Sequence, residues 1–443
     1  MKILLEEHLR TISSPANIVI NDRIKNSREI CKKVGCDRPY HHFAFGQSPF
    51  PPPPTVVEAL SRNASQHDYL PTAGILPLRE LVAEFYQQKF KLHCSAKEII
   101  ISPGSKEMIA MIMAVIQGSV LIPIPSWVSY LPQAIIQRKE VVPFKTSSYN
   151  NYKLRPDLIL NAIKRCSHPQ RILIFNHPHN PTGAVYSRQE LEDIAQVCRE
   201  NDIVVIADEI YALTTFTIDN FVSMGTVYPE ATIVTGGISK DRSAGGYRMG
   251  VGVFPAEQTN LKEDMLKVAG ATYSCVAAPI QYAAKEAYSM NQEVEAHIKT
   301  CREVNAVVAK YIYSVASKIP GIKTKQPSGG FYLFLDFNEL REQILALGFK
   351  TCVDLAEHIL KIEHTALLPG EALLLNEDNF AFRCSYVDYD GEAAIKDWRE
   401  NPPQNEAEEN AFVKKHCKEI IKGFSYIARY VDQLRQGIYP KHH

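Results

Sequence analysis

Short apolar runs alternate along this chain with segments whose apolar residues recur at helical spacing. The short runs are bounded by Gly, Pro, Asn or Asp and predict buried strands at 98–102, 120–123, 140–144, 171–175, 203–207, 231–234 and 251–254. The segments between them predict helices at 78–91, 108–117, 156–165 and 187–201. Because strand and helix alternate, the pattern predicts an α/β fold with a mostly parallel central sheet flanked by helices.

The two ends of the chain predict a second, smaller unit. Helical patterns occupy 4–10 and 18–34 near the start, and 292–318 and 411–436 later on, with strands expected at 327–334 and 380–386. A polar spacer at 401–410 is expected to be a solvated linker. We therefore expect a large cofactor-binding domain over 51–300 and a smaller α+β domain built from 1–50 and 301–443.

Composition narrows the class of protein. The 443 residues carry 49 basic and 49 acidic side chains, so no overall field favours nucleic acid or an anionic membrane as partner. The ten cysteines are scattered without a Cys-x-x-Cys pair, and the start of the chain lacks a signal-peptide pattern. The uncharged stretch 108–137 is broken by Gly118 and three prolines, which argues against a membrane span. These features predict reduced thiols and a cytoplasmic protein.

Lys240 is the first candidate for chemistry. It lies among small residues directly after the predicted strand 231–234, where open α/β sheets bind ligands. A lysine attacks a carbonyl only while unprotonated, so the site needs apolar walls or a neighbouring cation to depress its pKa. Arg242 and Arg248 are candidates for that cation, and Arg248 could also bind a phosphate. The alternative is an ordinary solvated basic loop.

A second candidate is the turn at Gly104, Ser105 and Lys106, between the strand 98–102 and the next helix. Backbone N–H groups at such a turn, together with a hydroxyl and the helix dipole, favour a bound anion. The plain alternative is a helix cap without a ligand.

Polar and aromatic residues follow several other predicted strands. Trp127 could stack on a flat ligand or lie in the core, and Tyr69 lies near a tight turn where a packing role is the default. Asn180 stands between rigid prolines, and Asp208 ends the strand 203–207 as either a cap or a partner for a ring nitrogen. His177 and His179 lack a third ligand at useful spacing, so we expect no metal site.

These pieces, in this order and spacing, resemble the class I/II aminotransferases of the fold-type I pyridoxal-phosphate superfamily. The resemblance rests on Asn180-Pro181-Thr182-Gly183, on Asp208 with Tyr211, and on Ser239-Lys240 with Arg248. It extends from Gly46 to about Tyr386. It implies the fold-type I large domain and a pyridoxal 5'-phosphate cofactor.

The resemblance also implies a role for each matching residue. Lys240 would form the Schiff base with the cofactor and move the proton at the substrate Cα, and Asp208 would keep the ring nitrogen protonated. Asn180 and Tyr211 would bond the ring hydroxyl, and Trp127 would stack on the ring. The expected phosphate shell is Gly104, Ser105, Lys106, Ser239 and Arg248, with Tyr69 reaching in from the second subunit of a homodimer. The expected substrate-binding residues are Gly46, Asn180 and Arg383, the last as a clamp for the α-carboxylate.

Two departures from the family pattern stand out. Gly237 occupies a position where many relatives have a serine, so one phosphate-binding hydroxyl is missing and a water or Lys106 is expected to replace it. The stretch Phe45-Gly46-Gln47-Ser48-Pro49-Phe50 differs from the usual Gly-x-Pro-Asp-Phe pattern.

The activity implied is transfer of an amino group from an L-amino acid to a 2-oxo acid by a ping-pong mechanism, with 2-oxoglutarate as acceptor and aspartate or aromatic amino acids as donors. An aromatic rim of Phe43, Phe45, Phe50 and Tyr130 points to apolar or aromatic donors. Two alternatives stay open, a pyridoxal-phosphate-dependent lyase or decarboxylase on the same scaffold and a non-catalytic regulator that binds the cofactor.

Overall fold

The computed structural model describes residues 5–14, 16–33 and 39–440. Its strands are β1 His41–His42, β2 Ile99–Ser102, β3 Ser119–Ile124, β4 Val141–Lys145, β5 Arg171–Asn176, β6 Ile203–Asp208, β7 Thr232–Gly237, β8 Gly250–Val253, β9 Tyr332–Asp336, β10 Thr365–Ala366, β11 Leu368–Pro369 and β12 Ala381–Ser385. Its α-helices are α1 Ala16–Lys33, α2 Pro54–Arg62, α3 Leu76–Phe90, α4 Ser105–Val115, α5 Tyr130–Ile136, α6 Pro156–Ile163, α7 Arg188–Glu200, α8 Met224–Val227, α9 Thr259–Thr272, α10 Ala278–Tyr288, α11 Gln292–Ala316, α12 Arg341–Ala346, α13 Cys352–Glu363, α14 Gly391–Glu400, α15 Glu406–His416 and α16 Lys418–Arg435.

The main sheet has seven strands in the order β2-β8-β7-β6-β5-β3-β4. Strand β8 runs antiparallel to its two neighbours, β2 and β7, and the other four neighbouring pairs are parallel, so the predicted mostly parallel α/β sheet is confirmed. Neighbouring residues of each strand point to opposite faces, and both faces are buried: Leu173 and Val205 belong to one apolar cluster, and Ile172 and Ile206 to the other. Burial on both faces explains why the strands read as continuous apolar runs.

The register of the sheet gathers the ends of its strands at one edge. Asn176 pairs with Asp208, and Asp208 pairs with Thr235, so β5, β6 and β7 end side by side. The loops that follow them carry Asn180, Tyr211 and Lys240 to the same edge. The site therefore follows from the topology of the sheet.

A smaller antiparallel sheet, in the order β11-β12-β9, belongs to the C-terminal part of the chain. The short strand β1 pairs in parallel with β10, and Phe43 and Phe50 pack in the same apolar cluster as α11 and α16. These contacts bring the start of the chain onto its C-terminal part, as a domain built from both termini requires. The exact boundaries 51–300, 1–50 and 301–443 stay a prediction.

Some helix boundaries differ from the predicted ones. The pattern at 4–10 becomes a short 3₁₀ helix, Glu7–Thr11, and residues 4 and 34 of the two predicted N-terminal helices lie outside the described residues. The predicted linker 401–410 and helix 411–436 are instead two helices, α15 and α16, separated at Cys417. Helix α15 begins early because the Asn405 side chain accepts a hydrogen bond from the Glu408 N–H and three acidic residues occupy its first turn.

None of the described helices combines the length and the apolar composition that crossing a bilayer requires.

Candidate active site

A cavity of about 1120 Å³ lies at the edge where the strands of the main sheet end. Its walls include most of the residues that the sequence singled out: Gly46, Ser105, Lys106, Trp127, Asn180, Asp208, Tyr211, Ser239, Lys240, Arg248 and Arg383. The structure thus brings residues from across the chain into one site. Gly104 and Tyr69 are not among the lining residues: Gly104 is buried directly before Ser105, whereas Tyr69 is 93% exposed.

Lys240 projects into this cavity from the loop after β7. Its Nζ donates a hydrogen bond to the Gly46 carbonyl at 2.7 Å and lies 5.6 Å from the centre of the Tyr211 ring. Burial and the nearby Arg383 guanidinium lower the pKa of this amine from 10.5 to about 8, while the Asp208 carboxylate opposes the shift. Roughly a tenth of the amine is therefore unprotonated and nucleophilic at pH 7, far more than for an ordinary lysine.

Arg242 does not supply the cation that lowers the Lys240 pKa. Its guanidinium is buried between the Phe85 and Tyr288 rings, 4.6 Å from each ring centre. It also donates to the Asp241 carboxylate at 2.9 Å. The interpretation of Arg242 as a partner of Lys240 is wrong, because aromatic faces and a buried carboxylate hold the guanidinium elsewhere.

Asp208 is a buried carboxylate at the end of β6. The Tyr130 hydroxyl donates to it at 2.6 Å, and the Ile210 N–H donates at 3.4 Å. Burial raises the pKa of Asp208 to about 6, and these donors hold it below the value that burial alone would give. The sequence reasoning counted Tyr130 only as part of an aromatic rim, and it missed this contact.

Asn180 is held in place by its neighbours. Its backbone N–H donates to the Asn176 side-chain oxygen at 2.6 Å, and Asn176 donates in turn to the Asp208 carbonyl at 2.9 Å. The Asn180 side-chain oxygen accepts a hydrogen bond from Arg383 Nη1 at 3.1 Å. Asn176 is a supporting residue that the sequence reasoning missed, although its position at the end of β5 was visible in the pattern.

Tyr211 meets a partner from the smaller sheet. Its hydroxyl lies 2.6 Å from the hydroxyl of Tyr332, the first residue of β9, and both side chains are buried. Tyr332 also lines the cavity. Tyr332 was expected only as part of a strand over 327–334, so its contact with Tyr211 was not predicted.

The opposite end of the cavity is built to receive an anion. Helix α4 begins at Ser105, three residues before the predicted start, and Gly104 precedes it with φ +91°, a conformation that favours glycine. Arg248 lies against Gly104 and donates to the carbonyls of Gly245, at 2.8 Å, and Pro103, at 3.3 Å. Helix N–H groups and a guanidinium therefore converge here.

The structure explains why residue 237 is a glycine. A Cβ added at Gly237 would lie 2.6 Å from the Met249 carbonyl oxygen, so a serine does not fit without a backbone shift. Lys106, the predicted substitute for the missing hydroxyl, has its Nζ 5.2 Å from the centre of the Trp127 ring. Its role as that substitute stays a prediction.

Only half of the predicted aromatic rim lines the cavity: Phe45 and Tyr130 do, and Phe43 and Phe50 do not. Phe43 is buried against Phe424, and Phe50 packs edge-on against Tyr389. Tyr130 is committed to Asp208, which leaves Phe45, 40% exposed, as the rim residue free to meet a ligand. The outer walls are largely aliphatic and include Ile20, Val128, Leu360 and Leu368.

The two histidines near Asn180 are both buried, and the His177 ring stacks on the Phe221 ring with the centres 4.7 Å apart. His179 bonds to the Thr182 hydroxyl and the Pro125 carbonyl, and burial lowers its pKa to about 4. Within residues 5–14, 16–33 and 39–440, no three His, Cys, Asp or Glu side chains are grouped as metal ligands would be.

Comparison with known proteins gives consistent results. The family described as aminotransferase class I and II matches residues 39–388. The chain is 31% identical over 378 residues to an aspartate aminotransferase of Bacillus sp. (strain YM-2), covering 84% of this chain and 92% of that protein. It is 29% identical to the aspartate aminotransferase of Bacillus subtilis (strain 168), covering 73% and 82%. In fold it is similar to a single mutant of Thermus thermophilus aspartate aminotransferase, with a TM-score of 0.79 at 24% identity, covering 97% and 100%.

Proposed function

The chain belongs to the class I and II aminotransferases, which depend on pyridoxal 5'-phosphate, and from this premise we propose that it moves an amino group from an L-amino acid to a 2-oxo acid by a ping-pong mechanism. The observation that carries the proposal is the Lys240 amine, with a pKa lowered to about 8, in one cavity with the buried Asp208 carboxylate and the Arg383 guanidinium.

The donor set of the cavity fits this cofactor. Asp208 is buried and receives hydrogen bonds from a phenol and a backbone N–H, so a protonated ring nitrogen would supply the positive partner that its carboxylate lacks. At the other end, a Cβ on Gly104 would lie 2.4 Å from Arg248, so glycine leaves the guanidinium and the start of α4 free to approach a phosphate.

Each residue has a role in holding the cofactor. Lys240 Nζ is the covalent attachment point for its aldehyde carbon, and Asp208 holds the proton on the ring nitrogen. Asn180 and Tyr211 bond the ring hydroxyl, and Trp127 covers one ring face. The phosphate is held by Ser105, Ser239 and Arg248 with the backbone around Gly104 and Lys106. When bound, the cofactor supplies an electron sink that acidifies the substrate Cα–H bond.

The chain's own residues then bind the substrate and move one proton. Arg383 binds the α-carboxylate and, with Asn180 and the Gly46 backbone, sets which bond at Cα faces Lys240. With the cofactor bound, the Lys240 amine would be the base that takes the proton from the substrate Cα, and its conjugate acid would return that proton to complete the transfer. In the second half of the cycle the same amine runs the transfer in reverse for the acceptor.

The site is completed by a second copy of the chain. Tyr69 is exposed and lies outside the cavity, which supports a homodimer in which this phenol reaches the phosphate of the partner's site.

We propose 2-oxoglutarate as the acceptor, with aspartate and aromatic amino acids as the donor classes. Aspartate is proposed because the similar proteins from Bacillus are named aspartate aminotransferases. The largely aliphatic outer wall favours a larger apolar side chain.

A substrate panel tests the proposal. Each amino acid is incubated with the cofactor-loaded protein and 2-oxoglutarate, pyruvate or oxaloacetate, and both products are quantified. Equal amounts of new 2-oxo acid and new amino acid are expected, and without an acceptor the 2-oxo acid should stop at one equivalent per site. Continuous turnover of an amino acid without any acceptor would support a lyase instead.

A further inference from the structure

Tyr332 contacts three parts of the site at once. It is the first residue of β9 and is only 2% exposed. Its hydroxyl lies 2.6 Å from the Tyr211 hydroxyl, and the Arg383 guanidinium lies over its ring at 4.5 Å from the centre. A Cβ on Gly46 would lie 2.0 Å from the same hydroxyl, so Gly46 leaves the space that Tyr332 fills. One side chain therefore touches the carboxylate clamp, the substrate loop and the cofactor's hydrogen-bond partner.

The direction of the hydrogen bond between the two phenols matters. Each phenol has a single proton, so one hydroxyl donates and the other accepts. If Tyr332 donates, the Tyr211 proton is left free to point into the cavity; if Tyr211 donates, that proton is consumed. The Arg383 cation above the Tyr332 ring makes the Tyr332 hydroxyl the better donor.

The electrostatics agree with that direction. Burial raises the pKa of Tyr332, and the Arg383 guanidinium opposes the rise. Burial raises the pKa of Tyr211 well above 10 with the neighbouring Tyr332 as the next cause, and the Arg383 guanidinium opposes this rise as a smaller contribution than the two from Tyr332. The more acidic of two bonded phenols is the stronger donor, which is Tyr332 here.

We propose that Tyr332 is a positioning residue with two separable parts: its hydroxyl donates to Tyr211 and so reserves the Tyr211 proton for the ring oxygen of the cofactor, and its ring holds the Arg383 guanidinium for the substrate carboxylate. The proposal rests on the proposed function. It makes Tyr332 the link between the substrate clamp on β12 and the cofactor contact after β6.

Two substitutions separate the two parts. Tyr332→Phe removes the hydroxyl and keeps an aromatic ring under Arg383. Tyr332→Leu removes both. The first should therefore act on the cofactor alone, and the second on the cofactor and on substrate binding.

The readout is the pH titration of the visible absorbance of the protein-bound cofactor, followed by steady-state kinetics. Without its donor, Tyr211 stabilises the anionic ring oxygen less, so the titration midpoint of Tyr332→Phe should rise by roughly 0.5 to 1 pH unit, the size expected for one hydrogen bond. Its KM should stay close to that of the wild type, while its kcat falls. Tyr332→Leu should show the same midpoint shift and, in addition, a KM raised roughly tenfold.

Tyr386→Phe is the matched control. Tyr386 is also a buried tyrosine next to the small sheet; its hydroxyl donates to the Gly330 carbonyl at 3.3 Å, and it does not line the cavity. Its midpoint and KM should equal those of the wild type. If Tyr332→Phe shifts the midpoint no more than Tyr386→Phe, the proposal is overturned.

A double substitution gives an independent check. Because Tyr332 acts through Tyr211, adding Tyr332→Phe to Tyr211→Phe should shift the midpoint no further, whereas additive shifts would contradict the relay. A wild-type protein that binds no cofactor and shows no titrating band would instead count against the proposed function itself. The two failures are therefore distinguishable.

Discussion

Arg383 Nη1 donates a hydrogen bond to the side-chain oxygen of Asn180 at 3.1 Å. Arg383 lies on β12 of the small sheet, and Asn180 lies in the loop after β5 of the main sheet. A second bond, from Arg383 Nη2 to the Ala44 carbonyl at 2.7 Å, holds the guanidinium from the other side. The Arg383 guanidinium is therefore oriented before a substrate binds. The conformational entropy of its side chain is lost on folding and not on substrate binding.

Replacing Arg383 with lysine tests that clamp. An ammonium group is a point charge and cannot hold Asn180, the Ala44 carbonyl and a substrate carboxylate in the geometry of a planar fork. Loss of a charge-assisted hydrogen bond should raise KM for every substrate by roughly ten- to a hundredfold, with the cofactor absorbance intact. Steady-state kinetics with two donor amino acids and two 2-oxo acid acceptors measure this change in KM. Arg341→Lys, a change at a partly exposed surface ion pair, is the control, and an unchanged KM in Arg383→Lys would count against the clamp.

Asp208→Asn should stabilise the cofactor-free protein above pH 6. Burial raises the pKa of this carboxyl from 3.8 to about 6. The folded state therefore binds more protons between these values, and its stability falls as the pH rises through them. A neutral amide avoids that loss, so the gain should reach roughly 2 to 3 kcal/mol at pH 8 and should vanish below pH 4. Urea unfolding of the cofactor-free protein at several pH values measures the gain.

The adjacent Glu209 provides the matched control for Asp208→Asn. It is also buried, with its pKa raised to about 8 by burial, but it faces the Ser223 hydroxyl and the Met224 N–H, and it does not line the cavity. Glu209→Gln should therefore stabilise the protein progressively as the pH rises from 4.5 to about 8, and it should leave transamination unchanged. Asp208→Asn should lower kcat by more than a hundredfold. Equal activity of the two variants would remove Asp208 from its proposed role.

Much of the site was predictable because its residues end strands or begin helices. Lys240, Asp208 and the Gly104 turn follow apolar runs, and the carboxyl ends of parallel strands meet at one edge whatever the loop details are. The fold class follows from the same alternation. Sequence patterns of this kind report the strands and helices that form between residues close together in the chain.

Contacts between distant side chains were not predictable. Tyr332 is 121 residues from Tyr211, and Tyr130 is 78 residues from Asp208, and no periodicity records such pairs. For Arg242 the prediction failed in the opposite way. Its closeness in sequence to Lys240 suggested a contact, but the guanidinium lies between the Phe85 and Tyr288 rings. The break at Cys417 between α15 and α16 was hidden because both helices continue one apolar stripe.

Covalent capture of the cofactor should depend on pH through Lys240. Its pKa is lowered to about 8, so the unprotonated fraction, and with it the rate of capture, should rise with pH and level off above that value. The rate of appearance of the bound cofactor's absorbance in the cofactor-free protein measures this. Lys240→Ala should show no capture, no borohydride-trapped peptide and no turnover, whereas Lys267→Ala at an exposed surface site should behave as the wild type. A midpoint near 10.5 would contradict the lowered pKa.

Tyr69→Phe tests whether the site is completed by a second subunit. Tyr69 and Tyr149 are the most exposed of the large apolar and aromatic residues, at 93% and 89%, so within one chain neither hydroxyl should matter. If Tyr69 reaches the phosphate of a partner's site, its loss should raise the dissociation constant of the cofactor roughly tenfold, the size of one charge-assisted hydrogen bond, while Tyr149→Phe has no effect. Equilibrium dialysis of the cofactor, with the oligomeric state checked by light scattering, measures both. If the contact crosses subunits, diluting the wild type into monomers should lower its affinity for the cofactor to that of Tyr69→Phe or below. Identical affinities for the two variants would mean that each chain holds its cofactor alone.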